Sequence, residues 1–291
     1  MSAAGEAVSK VDLHIHSTAS DGRYSPQEIV RKAVGLGLEV IALTDHDSVD
    51  GIASALEEAQ KFSQLQFIPG VEVSTDVPSG EVHVLGYFID YGSEELAAAL
   101  ERFRSSREGR AQGMITKLAE LGIHISWERV REIAGSGTVG RPHIAQAMLE
   151  KRYINSIKEA FDKYIARDGP AYVEREKMTP VEAVQLILRN RGVAVMSHPF
   201  TVPEPEGMIA ELKAAGMAGI EAYYNSYTSE EIGTLIALAK NYGLIVTGGS
   251  DYHGLDESHE TLMGGVEVPV EVVSRLIARA EPKMLKLAYL K

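Results

Sequence analysis

The feature that most constrains this chain is the placement of its histidines beside short apolar runs. His14 and His16 close the run that begins at Val11, His46 follows Val40-Ile41-Ala42-Leu43-Thr44-Asp45, and His83 sits between Val82 and Val84. His198 follows Val193–Ser197, and Asp251 and His253 follow Leu244–Ser250. Imidazole and carboxylate are the ligands preferred by borderline divalent metals. A fold that uses them together must gather strand ends from residue 12 to residue 253. Strands that converge on the mouth of one barrel do so, and the C-terminal strand ends are where barrel active sites lie.

In a strand, residues two apart face one side, so His14 and His16 can point together. Asp12 lies one step deeper on that face and is expected to orient an imidazole. Asp21, in Ser20-Asp21-Gly22, is either turn punctuation or a ligand closing over the mouth. Glu72 lies inside the apolar segment Ile68–Val73, where an unpaired carboxylate is costly to bury and metal coordination removes the cost. Asp251 and His253 form a second pair two residues apart. Each position has a plain alternative: a surface histidine, a capping aspartate, a packed core imidazole. One metal centre accounts for all of them at once.

Short β-branched runs alternate with helical patterns, which predicts βα units around a parallel sheet. Strands are expected at Val11–Ile15, Glu39–Leu43, Gln66–Val73, Val82–Ile89, Val193–Ser197, Gly219–Tyr223 and Leu244–Gly249. Helices are expected at Pro26–Leu36, Asp50–Phe62, Pro180–Arg189, Pro205–Ala215 and Glu230–Asn241. Ser25-Pro26 and Thr179-Pro180 read as N-cap and first helical residue. Residues 94–178 break the alternation with consecutive helices at about 94–121, 126–134, 142–150 and 156–166, too long for a βα loop. The expected architecture is α/β: a barrel from 11–93 and 179–291, an inserted helical subdomain at 94–178, and a disordered lead-in at 1–10.

No apolar run is long enough for a membrane helix, and the N-terminus lacks the apolar core of a signal peptide, so a cytoplasmic protein is the simplest reading. The absence of cysteine excludes disulfides, thiolate zinc sites and a cysteine nucleophile. A net charge of -12 argues against binding long nucleic acid. That charge is uneven: residues 94–178 carry 15 Lys/Arg against 13 Asp/Glu, leaving 14 against 28 elsewhere. Arg107 and Arg110 share a face of the long predicted helix, and Arg141 and His143 begin another after a glycine-rich turn. Guanidinium groups bind phosphate bidentately, although arginines on exposed helices are often simply solvated. Arg102, Arg104 and Lys163 lie on the same stretch; His124 and His259 fit no ligand pattern.

The series Asp-x-His-x-His, an Asp seven residues after the first His, Thr-Asp-His, Gly70-Val71-Glu72-Val73-Ser74, an isolated His, His-Pro and Ser-Asp-x-His resembles the PHP (polymerase and histidinol phosphatase) phosphoesterases. The segment Arg141-Pro142-His143-Ile144-Ala145 and the insertion resemble the TrpH-type branch, which includes 3′,5′-nucleotide bisphosphate phosphatases and a 5′→3′ exoribonuclease. The resemblance implies a distorted (β/α)7 barrel with an inserted helical subdomain and two to three divalent metal ions, Mn²⁺ foremost, with Fe²⁺ or Zn²⁺ as the other candidates. His14, His16, Glu72 and Asp251 would hold the first ion. Glu72 would bridge to a second held by His83 and His198, and Asp21, His46 and His253 would hold a third. Such ions activate water and neutralise phosphate, so no side-chain nucleophile is required. Arg107, Arg110, Arg141 and His143 would contact the substrate.

The expected reaction is hydrolysis of a nucleoside 3′,5′-bisphosphate to the 5′-monophosphate and phosphate. Cleavage of short 5′-phosphorylated RNA, a non-catalytic metal-binding regulatory module and a C–N amidohydrolase remain the alternatives, and the oligomeric state is open.

Overall fold

The strands follow one another around the sheet in chain order, β1 to β7. The computed structural model describes residues 9–77, 80–135, 139–174, 178–255, 261–288 and 290. By internal contacts the chain divides into two units, Met1–Leu100 with Met178–Lys291, and Glu101–Lys177.

The first unit carries β1 (Val11–Asp12), α1 (Pro26–Gly35), β2 (Val40–Leu43), α2 (Ile52–Ala59), β3 (Gln66–Val77) and β4 (Gly80–Tyr87). Next comes α3 (Glu94–Glu120), and the second unit continues with α4 (Trp127–Ala134), α5 (Arg141–Glu150) and α6 (Ile157–Ala160). The chain then returns through α7 (Pro180–Arg189), β5 (Val193–Met196), α8 (Pro205–Ala214), β6 (Gly219–Tyr224), α9 (Ser229–Tyr242) and β7 (Ile245–Gly249). It ends in α10 (Glu271–Ile277) and α11 (Pro282–Leu285).

Local chemistry sets the helix starts. Ser25 with Glu28, Thr179 with Glu182 and Thr228 with Glu231 form reciprocal capping boxes at α1, α7 and α9, satisfying amide groups that no preceding turn can. The helix expected over 156–166 is instead the short α6 followed by a π-turn at Phe161–Ile165.

The seven strands form a nearly closed barrel. Leu13 N–H donates to Gly248 O at 3.2 Å and His16 N–H to Tyr252 O at 2.9 Å, joining the end of β1 to β7. A Cβ on Gly249 would lie 2.5 Å from His14 N and Cβ, so only glycine permits this approach. Tyr87 of β4 crosses the interior to donate to Leu13 O at 3.0 Å, and fully buried Leu13, Ile41, Phe67, Leu85 and Val195 belong to the same core.

Three expectations need correction. The sheet is not wholly parallel: β4 pairs antiparallel with both β3 and β5. His83 therefore sits in the first half of its strand, opposite Ser74 in the last part of β3, and reaches the mouth by the reversal of β4, not at a strand C-terminus. Ser9, expected in the lead-in, is buried, and its hydroxyl donates to Val11 O at 2.8 Å; residues 1–8 lie outside the described residues.

The second unit has its own core, in which Met114, Leu118, Val130, Ile144, Met148 and Ile165 are fully buried. No helix among the described residues is long and apolar enough to cross a membrane.

Candidate metal centre

The centre is built from strand ends. The β1 extension carries His14 and His16, the segment after β2 carries His46, β3 carries Glu72 and β4 carries His83. His198 follows β5 and Asp251 and His253 follow β7. Directly opposed residues in antiparallel strands share a face, so the Ser74–His83 register puts His83 on the same face as Glu72, one diagonal step away. An isolated bridge between His46 and Glu72 fixes the other side.

Glu72 is fully buried and central. Its Oε2 lies 3.1 Å from His14 Nε2, 3.3 Å from His16 Nε2 and 3.2 Å from His46 Nδ1. Its Oε1 lies 2.9 Å from His83 Nδ1 and 3.2 Å from His198 Nε2. Asp251 Oδ1 lies 3.0 Å from His16 Nε2 and 3.3 Å from His14 Nε2, while its Oδ2 accepts from Tyr224 OH at 2.8 Å. Asp21 Oδ1 lies 3.4 Å from His253 Nε2 and 3.6 Å from His16 Nδ1, and its Oδ2 lies 3.9 Å from His46 Nε2. All nine residues expected as ligands thus lie in one cluster.

Three sets have donor atoms within 4.8 Å of one another: His14, His16, Glu72 and Asp251; His46, Glu72 and His83; and His16, Asp21, His46 and His253. The donors are oxygen and nitrogen only. Both ring nitrogens of His16 and Asp251 Oδ1 are buried without a hydrogen bond of good geometry, although His16 Nε2 and Asp251 Oδ1 stand 3.0 Å apart. Each such atom costs about 1–3 kcal/mol, and cations accepting these lone pairs would remove that cost. The donor set therefore fits divalent ions.

The electrostatics agree. Burial opposes ionisation, yet His46, His253 and His16 around Asp21, and His46, His14 and His83 around Glu72, hold both carboxyl groups well below the usual range. Burial likewise disfavours charged His16, but Asp251 and Glu72 outweigh it and push the imidazole up to about 10. For His46 burial wins over Glu72 and Asp21 and lowers it to about 4, so that ring is neutral at pH 7. Positive backbone φ at Asp47 (48°), His198 (25°) and Asp251 (54°) stores strain around the same cluster.

Asp12 does not orient an imidazole. Its carboxylate accepts from Ser250 N–H at 2.9 Å, Ser250 Oγ at 2.6 Å and Gly264 N–H at 2.7 Å, tying β1 to the chain beyond β7. The carboxylate that meets a ligand ring is Glu221 of β6, 3.0 Å from His14 Nδ1. Its signal was a glutamate inside the apolar run Gly219-Ile220-Glu221-Ala222, the reason that singled out Glu72. Asp45, buried beside His46, accepts from Ser17 N–H, Ser17 Oγ and Ser20 Oγ, each at 2.7 Å, and so fixes the loop that carries Asp21.

In the second unit Arg110 is buried, and the Arg141 guanidinium lies 5.6 Å from the Phe161 ring centroid. His143 Nδ1 accepts from Gly140 N–H at 3.0 Å and so caps its own helix. The Arg107 side chain and His259 lie outside the described residues. Arg104 and Lys163 pair with Glu101 and Glu159 at 2.7 Å, and His124 is exposed.

Residues 12–174 match the PHP domain family. The chain is 33% identical to a 5′-3′ exoribonuclease of Haemophilus influenzae over 84% of this chain and 90% of that protein. It is 30% identical to a 3′,5′-nucleoside bisphosphate phosphatase of Chromobacterium violaceum, over 94% of this chain and all of the other. A crystal structure from Bifidobacterium adolescentis, described as a metal-dependent phosphoesterase, superposes with a TM-score of 0.81 at 25% identity, over 94% of this chain and 97% of that one. A barrel whose strand ends gather nine histidine and carboxylate side chains, with relatives of this kind along nearly its whole length, belongs to the PHP family of metal-dependent phosphoesterases.

Proposed function

We propose that this chain hydrolyses a phosphate monoester of a small nucleotide, converting a nucleoside 3′,5′-bisphosphate to the 5′-monophosphate and phosphate. The observation that carries the reading is the convergence of Glu72, Asp21 and Asp251 with five imidazoles in three overlapping donor sets, with His198 3.2 Å from Glu72 beside them. His14, His16, Glu72 and Asp251 would hold one ion, Glu72 with His83 and His198 a second, and Asp21, His46 and His253 a third, with Mn²⁺ the first candidate. When bound, such ions lower the pKa of coordinated water and neutralise charge on the phosphate oxygens. The side chains fix the spacing: Glu72 ties two sets together, and Asp251, bonded to Tyr224, presents one oxygen to His14 and His16. The full ligand complement favours catalysis over a purely regulatory metal-binding role.

The Chromobacterium violaceum relative supports the bisphosphate reading through its name and full-length match. The Haemophilus influenzae relative supports a second reading, 5′→3′ cleavage of short 5′-phosphorylated RNA. Phosphate release from adenosine 3′,5′-bisphosphate, measured with Mn²⁺ beside mononucleotide release from a 5′-phosphorylated oligonucleotide, separates them. Faster turnover of the bisphosphate is expected; mononucleotide release alone would reverse the order.

Within this proposal Arg107, Arg110, Arg141 and His143 bind the phosphate that does not react. Arg141→Ala is expected to lower kcat/KM on the bisphosphate by about 10- to 100-fold, the loss of a charge-assisted hydrogen bond of about 1.5–3 kcal/mol. An aryl phosphate, which lacks the second group, should change little. Equal losses on both substrates would remove Arg141 from recognition.

A further inference from the structure

Glu221 has no exposed surface, and its two oxygens serve two different ligand groups. Oε1 lies 3.0 Å from His14 Nδ1, while Oε2 accepts from Ser197 Oγ at 3.0 Å and from His198 N–H at 2.9 Å. We propose that Glu221 is a positioning residue of the metal centre: it makes His14 a ligand through Nε2 and holds His198 in its strained backbone conformation. The inference rests on the metal-centre reading above.

The argument is one of donors and acceptors. An ionised carboxylate only accepts, so it selects the His14 form protonated on Nδ1 and leaves the Nε2 lone pair available. That Nε2 is the atom 3.1 Å from Glu72 and 3.3 Å from Asp251. The backbone of His198 is held by the Glu221 bond at a φ of 25°, with its Nε2 3.2 Å from Glu72 Oε1. One carboxylate thus sets a ring in the first donor set and the backbone of His198, proposed with Glu72 and His83 for the second ion.

A glutamine fills the same volume but has a single acceptor. If its oxygen faces His198 N–H, its amide donates to His14 Nδ1 and drives the proton onto Nε2, where the carboxylates converge. If its oxygen faces His14, its amide meets the His198 N–H donor to donor. Either orientation spoils one ligand. Among the described residues, the hydrogen bonds of Glu221 run to His14, Ser197 and His198, so the set of Asp21, His46 and His253 should be spared.

The test is Zn²⁺ titration of the metal-stripped full chain against a competing chelator, for wild type and Glu221→Gln, with ¹⁵N-imidazole NMR of the zinc-loaded proteins. Glu221→Gln should lower zinc affinity by about 10- to 100-fold, the usual effect of losing a partner that orients a ligand. The metal-free variant should keep the wild-type circular dichroism spectrum, and His46 and His253 should keep their metal-bound resonances. Zinc-loaded wild type should carry the His14 proton on Nδ1. Unchanged affinity overturns the inference, as does lowered stability of the metal-free variant with zinc binding intact, which marks a purely structural role. If Glu221→Gln does not fold, the wild-type spectrum decides: a proton on His14 Nδ1 supports the inference, and one on Nε2 overturns it. A wild-type chain that binds no zinc overturns the metal-centre reading itself, a result distinct from equal binding by the two proteins.

Discussion

Five imidazole nitrogens stand 2.9–3.3 Å from the Glu72 carboxylate. Among the described residues no other side chain lies against as many of the proposed ligands, so its replacement should be the most damaging single change. Glu72→Gln is expected to cut phosphate release and bound metal by more than about 100-fold, since partners that only orient a ligand already cost 10- to 100-fold. Exposed His124→Ala should change neither. A Glu72→Gln enzyme within tenfold of wild type would place the chemistry elsewhere. At this scale the sequence spoke clearly for residues inside the motif series, and much less for the others. Glu221 sits in a run as apolar as that around Glu72, but no motif like Gly70–Ser74 marks it. Asp12 misled for the complementary reason: its position two residues from His14 suggested a bond to that ring. Its carboxylate instead serves Ser250, 238 residues away.

Elements were legible where their determinants are local. The capping boxes at Ser25, Thr179 and Thr228 lie within four residues of sequence, and those helices begin within one residue of where the pattern predicts. The direction of β4 is a different matter, because alternation of apolar and polar residues is the same in either direction. A signal was nevertheless present: eight residues separate the expected strands Gln66–Val73 and Val82–Ile89, whereas a parallel crossover needs a dozen or more. Between helices, Glu58 of α2 accepts from Arg31 of α1 at 2.7 Å and from Lys61 at 2.6 Å. Arg31 first and then Lys61 pull its carboxyl from 4.5 down to about 2. A depressed carboxyl stabilises the fold above its unfolded value and loses that contribution as pH falls toward its folded value. The melting-temperature gap between wild type and Glu58→Gln should therefore be full at pH 7 and close as pH drops from 4.5 toward 2. A gap that ignores pH would show that the ion pairs add nothing.

For the whole molecule, the barrel was legible because its proposed ligands only make sense gathered at one end, while the β1–β7 closure rests on the close approach at Gly249 and on Asp12 bonds that no local pattern announces. Burying so many ionisable groups at the mouth ties folding to cation binding. Zn²⁺ at about 100 times its dissociation constant should add about 2.7 kcal/mol per site to stability, read as a rise in melting temperature that a chelator reverses. A melting temperature indifferent to zinc would mean that the cluster is satisfied without it. The reversal of β4 has one more consequence, for which changes of length the chain can tolerate. Because His83 is held by cross-strand register with Ser74, a single-residue insertion between Ser74 and His83 that stays within the ladder would turn His83 to the opposite face of the sheet. Extra residues beyond the Val77–Gly80 pair would lengthen the hairpin outward and leave every ligand in place. The tip of that hairpin is thus free to vary while its stem is locked to the chemistry.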